Sequence, residues 1–347
     1  MTLQSQIAAM PNTEAYVTTA PEISGTIRTT AEDFQVDEDL GFEPDGAGEH
    51  VFLQIRKRNA NTDWVARQIA RVAGVRAGEV SYAGMKDRNA VTTQWFSVQL
   101  PGRDMPDWTP LLSDNLQVLN ALRNSRKLRR GALRGNRFAL VVRELSAASS
   151  ELEQRLQRIV VQGVPNYFGM QRFGQDAGNL DKAVAMFKGA LKVRDRHVRG
   201  LYLSAARSQL FNQVLSQRVA AGTWNQALPG EALMLEGTHS VFVADTIDAT
   251  IVQRLTAFDI HPTGPLWGSG ISLARDQALA FEQAALAGDE IIRSGLEQAG
   301  LSQERRALRL PVAELQWQFP SNESVQLSFR LPAGAYATSV LRELVTT

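Results

Sequence analysis

The spacing of apolar residues changes twice along the chain and divides it into three stretches. Up to about residue 164 the apolar positions alternate in short runs, as a pleated strand with one covered face requires. Runs near 25–30, 33–37, 51–55, 79–82, 92–98 and 136–142 read as strands. Two helices interrupt them. Val65, Ile69 and Val72 fall at i, i+4 and i+7 between a cap at Asn61 or Thr62 and a stop at Gly74. Leu152, Leu156, Ile159 and Val160 repeat the pattern behind a capping box of Ser150 and Glu153, and Gly163 and Pro165 end it. From about Asn166 the period lengthens, with helical patterns over 180–191, 201–221 and 272–299. A β-like stretch lies at 232–243, and the Gly- and Pro-rich segment 261–270 reads as an ordered loop. After Leu308 alternation returns through Leu315, Trp317 and Phe319, then Val325, Leu327, Phe329 and Leu331, with a hairpin turn at 320–323. A short helix over 335–345 closes the chain, while residues 1–20 lack a period and read as a poorly ordered arm. The strand–helix–strand switch predicts an α+β fold in which 1–164 and 308–347 build one discontinuous domain around an inserted helix-rich domain, 165–307.

Composition narrows the chemistry. With 44% hydrophobic and 21% charged residues in 347, the chain has the make-up of an ordinary globular protein. It has no cysteine, which removes disulfides, thiolate nucleophiles and zinc-thiolate sites and suits a reducing cytoplasm. The N-terminus lacks a signal-peptide pattern, and no apolar run approaches the roughly 20 residues of a membrane span. A soluble cytoplasmic protein is expected. His50, His197, His239 and His261 are scattered without metal-ligand spacing, so no metal site is assigned.

The net charge is +1, so any surface for a polyanion must be local. One stretch meets that need: Arg123, Arg126, Lys127, Arg129, Arg130 and Arg134 put six bases in twelve residues with no acid among them. This is either a solvated charged face or the footprint of phosphate contact. Residues 37–49 are its opposite, six acids and no base among glycines and a proline, which reads as a loop that phosphates avoid.

Between the strands at 79–82 and 92–98 lies Gly84-Met85-Lys86-Asp87-Arg88. An aspartate between two cations has its charged form favoured and is expected to titrate below a free carboxyl group. It is suited to attacking or deprotonating carbon, or to stabilising positive charge. The same residues also fit a solvated β-turn.

Gly84-Met85-Lys86-Asp87, followed by an Ala-Val-Thr-x-Gln-Trp strand from Ala90, resembles the signature of the TruD family of tRNA pseudouridine synthases. Further blocks resemble that family in the same order: Glu32-Asp33-Phe34-Gln35-Val36 with Asp39-Leu40-Gly41-Phe42-Glu43-Pro44, Gly135-Asn136-Arg137-Phe138, Asn166 through Gly174, and Leu331 through Ser339. They span residue 25 to the end. The resemblance implies a catalytic domain with a mixed, mainly antiparallel sheet, a TruD-specific insertion, and an RNA cleft between the two. It implies isomerisation of uridine in tRNA, usually at position 13 in the D arm, with no metal, cofactor or energy source, and it implies no particular protein partner.

The resemblance also assigns roles. Asp87 is the carboxylate at the sugar–base junction, either attacking carbon covalently or removing the C2′ proton. Arg28 stands where a lysine partner of that carboxylate is expected, and an arginine can pair with it bidentately. Phe34 stacks on the target uracil, Asn136 and Phe138 line the pocket, and Tyr336 is a second aromatic where phenylalanine is common. Lys86 and Arg88 support the site electrostatically or contact phosphate. Asn166 through Gly174 reads as hinge and core, with a stacking platform as the other reading. Two other functions bear on the same residues: a non-catalytic RNA-binding or chaperone protein, which would not depend on Asp87, and a metal-dependent nuclease, which needs clustered carboxylates or histidines.

Overall fold

The computed structural model describes residues 14–146 and 149–347. In chain order the first part holds strands β1 (Thr26–Ile27), β2 (Phe34–Asp39) and β3 (His50–Arg58), helix α1 (Thr62–Ala73), β4 (Val80–Tyr82), β5 (Val91–Gln99), β6 (Leu116–Asn124), β7 (Gly135–Arg143) and α2 (Ser149–Gln162). The middle holds β8 (Val164–Pro165), α3 (Gly178–Phe187), α4 (Arg196–Ala220), β9 (Glu231–Leu235), β10 (Val241–Ala244) and α5 (Ala249–Thr256). It continues with β11 (Ile260–Leu266), α6 (Asp276–Ala285), α7 (Glu290–Gln298), β12 (Glu304–Ala307) and β13 (Arg309–Leu310). Strands β14 (Ala313–Ser321) and β15 (Ser324–Pro332) and helix α8 (Ala337–Leu341) close the chain. Among the described residues no helix is long and apolar enough to cross a membrane.

The chain folds as two compact units. One comprises 22–156, 312–337 and 344–347; the other comprises 157–311 and Thr338–Glu343 with the described residues up to Pro21. The first unit is organised by one nine-stranded sheet, in the order β14-β15-β7-β2-β5-β3-β6, with β1 on β7 and β4 on β5. Every pair in it is antiparallel except β2 with β5. The architecture is α+β with a mixed, mainly antiparallel sheet, as the sequence predicts. The register sets one row of side chains on a single face: Lys57 opposite Thr92, Thr92 opposite Val36, Val36 opposite Phe138, and Phe138 opposite Phe329.

Helix α1 covers part of that sheet, burying Val65 and Ile69 against Val51, Leu53, Ile55, Phe96 and Val98. Each such side chain removed from water contributes about 1.5–3 kcal/mol. The predicted ends of the helix hold: Asn61 accepts from Asp63 N at 2.8 Å, and Gly74 takes the left-handed conformation, φ 62°, that a glycine adopts without strain.

The second unit joins a four-stranded sheet, β10-β9-β11-β12, to helices α3, α4 and α7, whose core includes Leu180, Leu203, Leu210, Val214 and Leu296. Here several boundaries differ from expectation. The segment 261–270 is not wholly a loop: β11 pairs with β9 over Ile260–Pro262 and with β12 over Thr263–Leu266. Its prolines fit because a proline carbonyl still accepts; Pro262 O takes a bond from Leu308 N at 2.8 Å. The stretch 272–299 is two helices broken around Gly288, and the final helix is only Ala337–Leu341. Ser150 lies inside the first turn of α2, and Glu153 accepts from Trp317 Nε1 at 2.6 Å; the residues just before this helix lie outside the described residues.

Residues 1–13 of the expected arm lie outside the described residues. Residues 14–17, however, are tied down: Arg342 donates to Glu14 O at 2.8 Å and lies 4.2 Å from the Tyr16 ring, and Asn212 donates to Glu14 Oε1 at 2.6 Å. Within Asn166 through Gly174, residues 166–168 and Phe173 are buried and Met170 and Gln171 are exposed. Asn166 donates to Ala307 O at 2.8 Å, Tyr167 donates to Ala15 O at 3.0 Å, and Phe168 meets Phe211 edge to face at 5.4 Å.

Candidate active site

The Asp87 turn joins β4 to β5 and is fixed from several sides. Gly84 O accepts from Gln94 Nε2 at 2.5 Å, and Lys86 N donates to Thr62 Oγ1 at 3.1 Å. Thr62 in turn donates to Gln94 Oε1 at 3.1 Å, so one hydroxyl at the start of α1 and one amide on β5 hold both halves of the turn. Gly131 N donates to Ala83 O at 2.7 Å, which ties the basic stretch to the same turn. A backbone held this way presents one side chain in one place.

That side chain is Asp87. Arg28 Nη2 donates to Asp87 Oδ2 at 2.9 Å, and among the described residues this is the one bond to the carboxylate. The side chains are 25% and 36% exposed, so the pair faces solvent in part. The flanking cations behave otherwise than the sequence suggests. Lys86 turns inward to Glu38, with Nζ and Oε1 2.7 Å apart and both side chains buried; Glu38 Oε2 also accepts from Trp95 N at 2.8 Å. Arg88 is exposed. The cation that meets Asp87 comes from 59 residues upstream.

Arg28 and Phe34 arrive together. The Arg28 guanidinium lies 4.0 Å from the Phe34 ring centre, a cation–π arrangement. Arg28 takes φ +60°, a conformation that disfavours non-glycine residues and persists where the surroundings over-determine it. Between the two, Asp33 is buried and accepts a bidentate pair from Arg143, at 2.7 and 3.0 Å, as well as Thr30 N at 3.0 Å. The Arg143 bond holds the Asp33 carboxyl below its ordinary pKa. Phe34 meets Phe138 edge to face at 6.5 Å, and Phe138 stacks on Phe329 at 5.3 Å. Asn136 sits two residues before Phe138 on β7, opposite Glu38 and Leu331. Its Oδ1 is buried and accepts no hydrogen bond among the described residues. Tyr336 follows β15 on a turn whose Ala333 N donates to Arg134 O at 3.1 Å.

The basic stretch borders this site. Leu128 anchors it in a cluster with Ala83, Trp95, Phe52 and Leu40, leaving Arg126, Lys127, Arg129 and Arg130 exposed. Arg130 lies 5.5 Å from the Tyr82 ring centre. A groove of about 660 Å³ runs beside it, lined by Arg67, Tyr82, Lys127, Arg129 and Arg130 among others. Arg123 is half-buried and donates to Arg103 O, and Arg134 lies 3.8 Å from Asp39. The acidic segment is accordingly not a free loop. Asp37–Asp39 belong to β2, and Asp45 accepts from Ser125 N at 3.1 Å.

Lys57 is the functional candidate that sequence reading passed over. It is fully buried, and its Nζ donates to Ala60 O at 2.8 Å and Asp87 O at 2.9 Å. Burial pushes its pKa down to about 8, against the attraction of Asp87. The signal was present in the alternation of β3, where Lys57 falls in phase with buried Val51, Leu53 and Ile55. Asp33 is likewise visible only through its distant partner.

Comparison with known proteins gives the family and the fold. The model of the family tRNA pseudouridine synthase D (TruD) matches residues 11–184 and 177–344. The chain is 55% identical to tRNA pseudouridine synthase D of Nitrosococcus oceani, over 96% of this chain and 94% of that protein. It is 52% identical to tRNA pseudouridine synthase D of Methylococcus capsulatus, over 92% and 91%. A crystal structure from Methanosarcina mazei, assigned to TruD, superposes with a TM-score of 0.74 at 22% identity, over 98% of this chain and 99% of that one, and shows the same fold. The chain belongs to the tRNA pseudouridine synthase D family.

Proposed function

We propose that this protein isomerises uridine to pseudouridine in tRNA, at position 13 of the D arm, with Asp87 as the reacting carboxylate. The observation that carries the reading is the Asp87–Arg28 pair, partly open to solvent on a fixed turn, beside Phe34 and within the motif shared with the family. In this reaction the C1′–N1 bond breaks and a C1′–C5 bond forms; C5 loses a proton and N1 gains one. Asp87 either attacks carbon or takes the C2′ proton, and both routes use its carboxylate, which Arg28 holds by one hydrogen bond.

The target nucleotide leaves its stack to reach the carboxylate. Phe34 offers an aromatic face, and the Asn136 carbonyl offers an acceptor for a uracil N–H, satisfying a buried atom that otherwise has no donor. Phe138 and Tyr336 complete the pocket. Lys86, paired with Glu38, supports the turn from within rather than contacting phosphate. The exposed bases of the Arg123–Arg134 stretch and the groove beside them take the backbone of the RNA. In this reading the sheet unit performs the chemistry, and the helix-rich unit is the family's insertion.

The test is release of tritium from a tRNA transcript labelled at uridine C5, in EDTA, by wild type and Asp87→Ala. Release by wild type alone, with loss of at least about a thousandfold in the variant, is the expected outcome. Intact tRNA binding without release from either protein would overturn the reading in favour of a binding protein. Release that EDTA abolishes would count against it too.

A further inference from the structure

We infer that Lys57 is a positioning residue for Asp87: its ammonium holds the Asp87 peptide carbonyl from inside the core and keeps a positive charge behind the reacting carboxylate. This rests on Asp87 being that carboxylate.

The geometry is specific. Lys57 Nζ bridges Ala60 O and Asp87 O, at 2.8 and 2.9 Å. The first lies just past β3; the second is the peptide that carries the site. Asn59 N also donates to Ala90 O at 3.1 Å, so the segment 59–60 is bound to the Asp87 turn twice, once through its own backbone and once through Lys57. Burying a lysine costs several kcal/mol unless the charge is compensated. A methionine of similar length would fill the same space without that cost, and Thr92, directly opposite on β5, offers no charge.

Two charged groups act on this ammonium. The Asp87 carboxylate favours it and Lys86 opposes it, with burial the largest effect. Asp87 thus lies between two cations of different kinds. Arg28, partly exposed, bonds the carboxylate itself; Lys57, with no exposure, bonds its backbone. A shift of the Asp87 peptide would move the carboxylate relative to C1′, and misplacement of that kind lowers the rate without loosening RNA binding.

The test compares single-turnover rates at saturating tRNA for wild type, Lys57→Met and Asp87→Ala, beside the tRNA Kd of each. Lys57→Met is expected to lose about 10- to 100-fold in rate while Kd stays within about twofold. A merely structural lysine would lower the unfolding midpoint and leave the rate of the folded fraction unchanged. The chain has no cysteine, so Lys57→Cys provides a unique thiol that 2-bromoethylamine, added in denaturant before refolding, converts to an aminoethyl side chain with the ammonium restored. Recovery to within about threefold of wild type is expected.

A folded Lys57→Met enzyme at the wild-type rate, or aminoethylation without recovery, would overturn the inference. Should the uncharged variants not fold, the wild-type rate decides: it is expected to fall as pH rises through about 8, where the ammonium is lost, and a flat profile would overturn it. An active Asp87→Ala would sink the functional reading instead.

Discussion

Two buried arginine–carboxylate pairs of the helix-rich unit contrast with the Arg28–Asp87 pair of the sheet unit. In the helix-rich unit Arg305 grips Glu282 with both nitrogens of its fork, at 3.0 and 2.5 Å, and also donates to Thr263 O at 2.7 Å. Arg218 binds Glu231 at 2.9 Å and fills its remaining reach with Thr223 O and Gln226 O. These side chains are at most 5% exposed. In the sheet unit Arg28 and Asp87 share one bond and stay partly in solvent. A pair that has spent its donors inside the core specifies packing; a pair with a carboxylate only partly engaged is equipped to react. The same residue types are closed off in one case and left partly open in the other, and the proposed chemistry needs the open one.

Breaking a closed pair should cost stability and spare chemistry. Glu282→Ala leaves Arg305 buried without its partner and is expected to lower the free energy of unfolding by about 3–5 kcal/mol, read by urea titration, while the folded fraction modifies tRNA at the wild-type rate. A smaller effect is expected where charge meets solvent. Replacing Lys127, Arg129 and Arg130 together with alanine should weaken tRNA binding by about 10- to 100-fold and flatten the slope of log Kd against log salt by about 2–3, with the rate at saturation unchanged.

At the open pair the expected change is smaller again. Arg28→Lys keeps a cation near Asp87 and loses the planar group over Phe34, so the single-turnover rate should drop about 3- to 10-fold without a change in the unfolding midpoint. The last test concerns support behind the pair. Asp33 has a lowered pKa, so its contribution to stability is present above the unfolded value near 3.8 and is lost as pH falls through the lower folded value. Wild type should therefore exceed Asp33→Asn in stability at pH 7, and the gap should narrow as pH falls below 4, in paired urea titrations.

These features are unequally visible in the chain itself. The returning strand period at Leu315 and Val325 announced that both ends build one sheet, because alternation is a local property. The Asp87 turn was legible for the same reason, being a short motif between two strands. Its cation, Arg28, was legible only through the family resemblance and not from the residues around the turn. Proximity in sequence pointed to Lys86, yet Lys86 is consumed by Glu38, and the bond comes from Arg28 across the fold.

Strand phase could have told that Glu38 and Lys57 face inward, but phase does not say what waits there: the Asp87 carbonyl lies 30 residues from Lys57. Arg143 and Asp33 are 110 residues apart and meet only through the register of the sheet. Strand β11 was hidden because prolines suggest a loop, although six of its seven residues are buried between two partners.

The placement of Arg28 over Phe34 has a consequence for how a guest enters. The ring is 2% exposed and edge-packed by Phe138, with the guanidinium 4.0 Å from its centre. On the proposed reading, a flat base that stacks on this ring takes the berth that the guanidinium holds. The group that has to move aside is the same one that restrains Asp87. On the proposed reading, seating the base and releasing the carboxylate are therefore coupled through Arg28, and a nucleotide that does not displace the arginine leaves Asp87 paired.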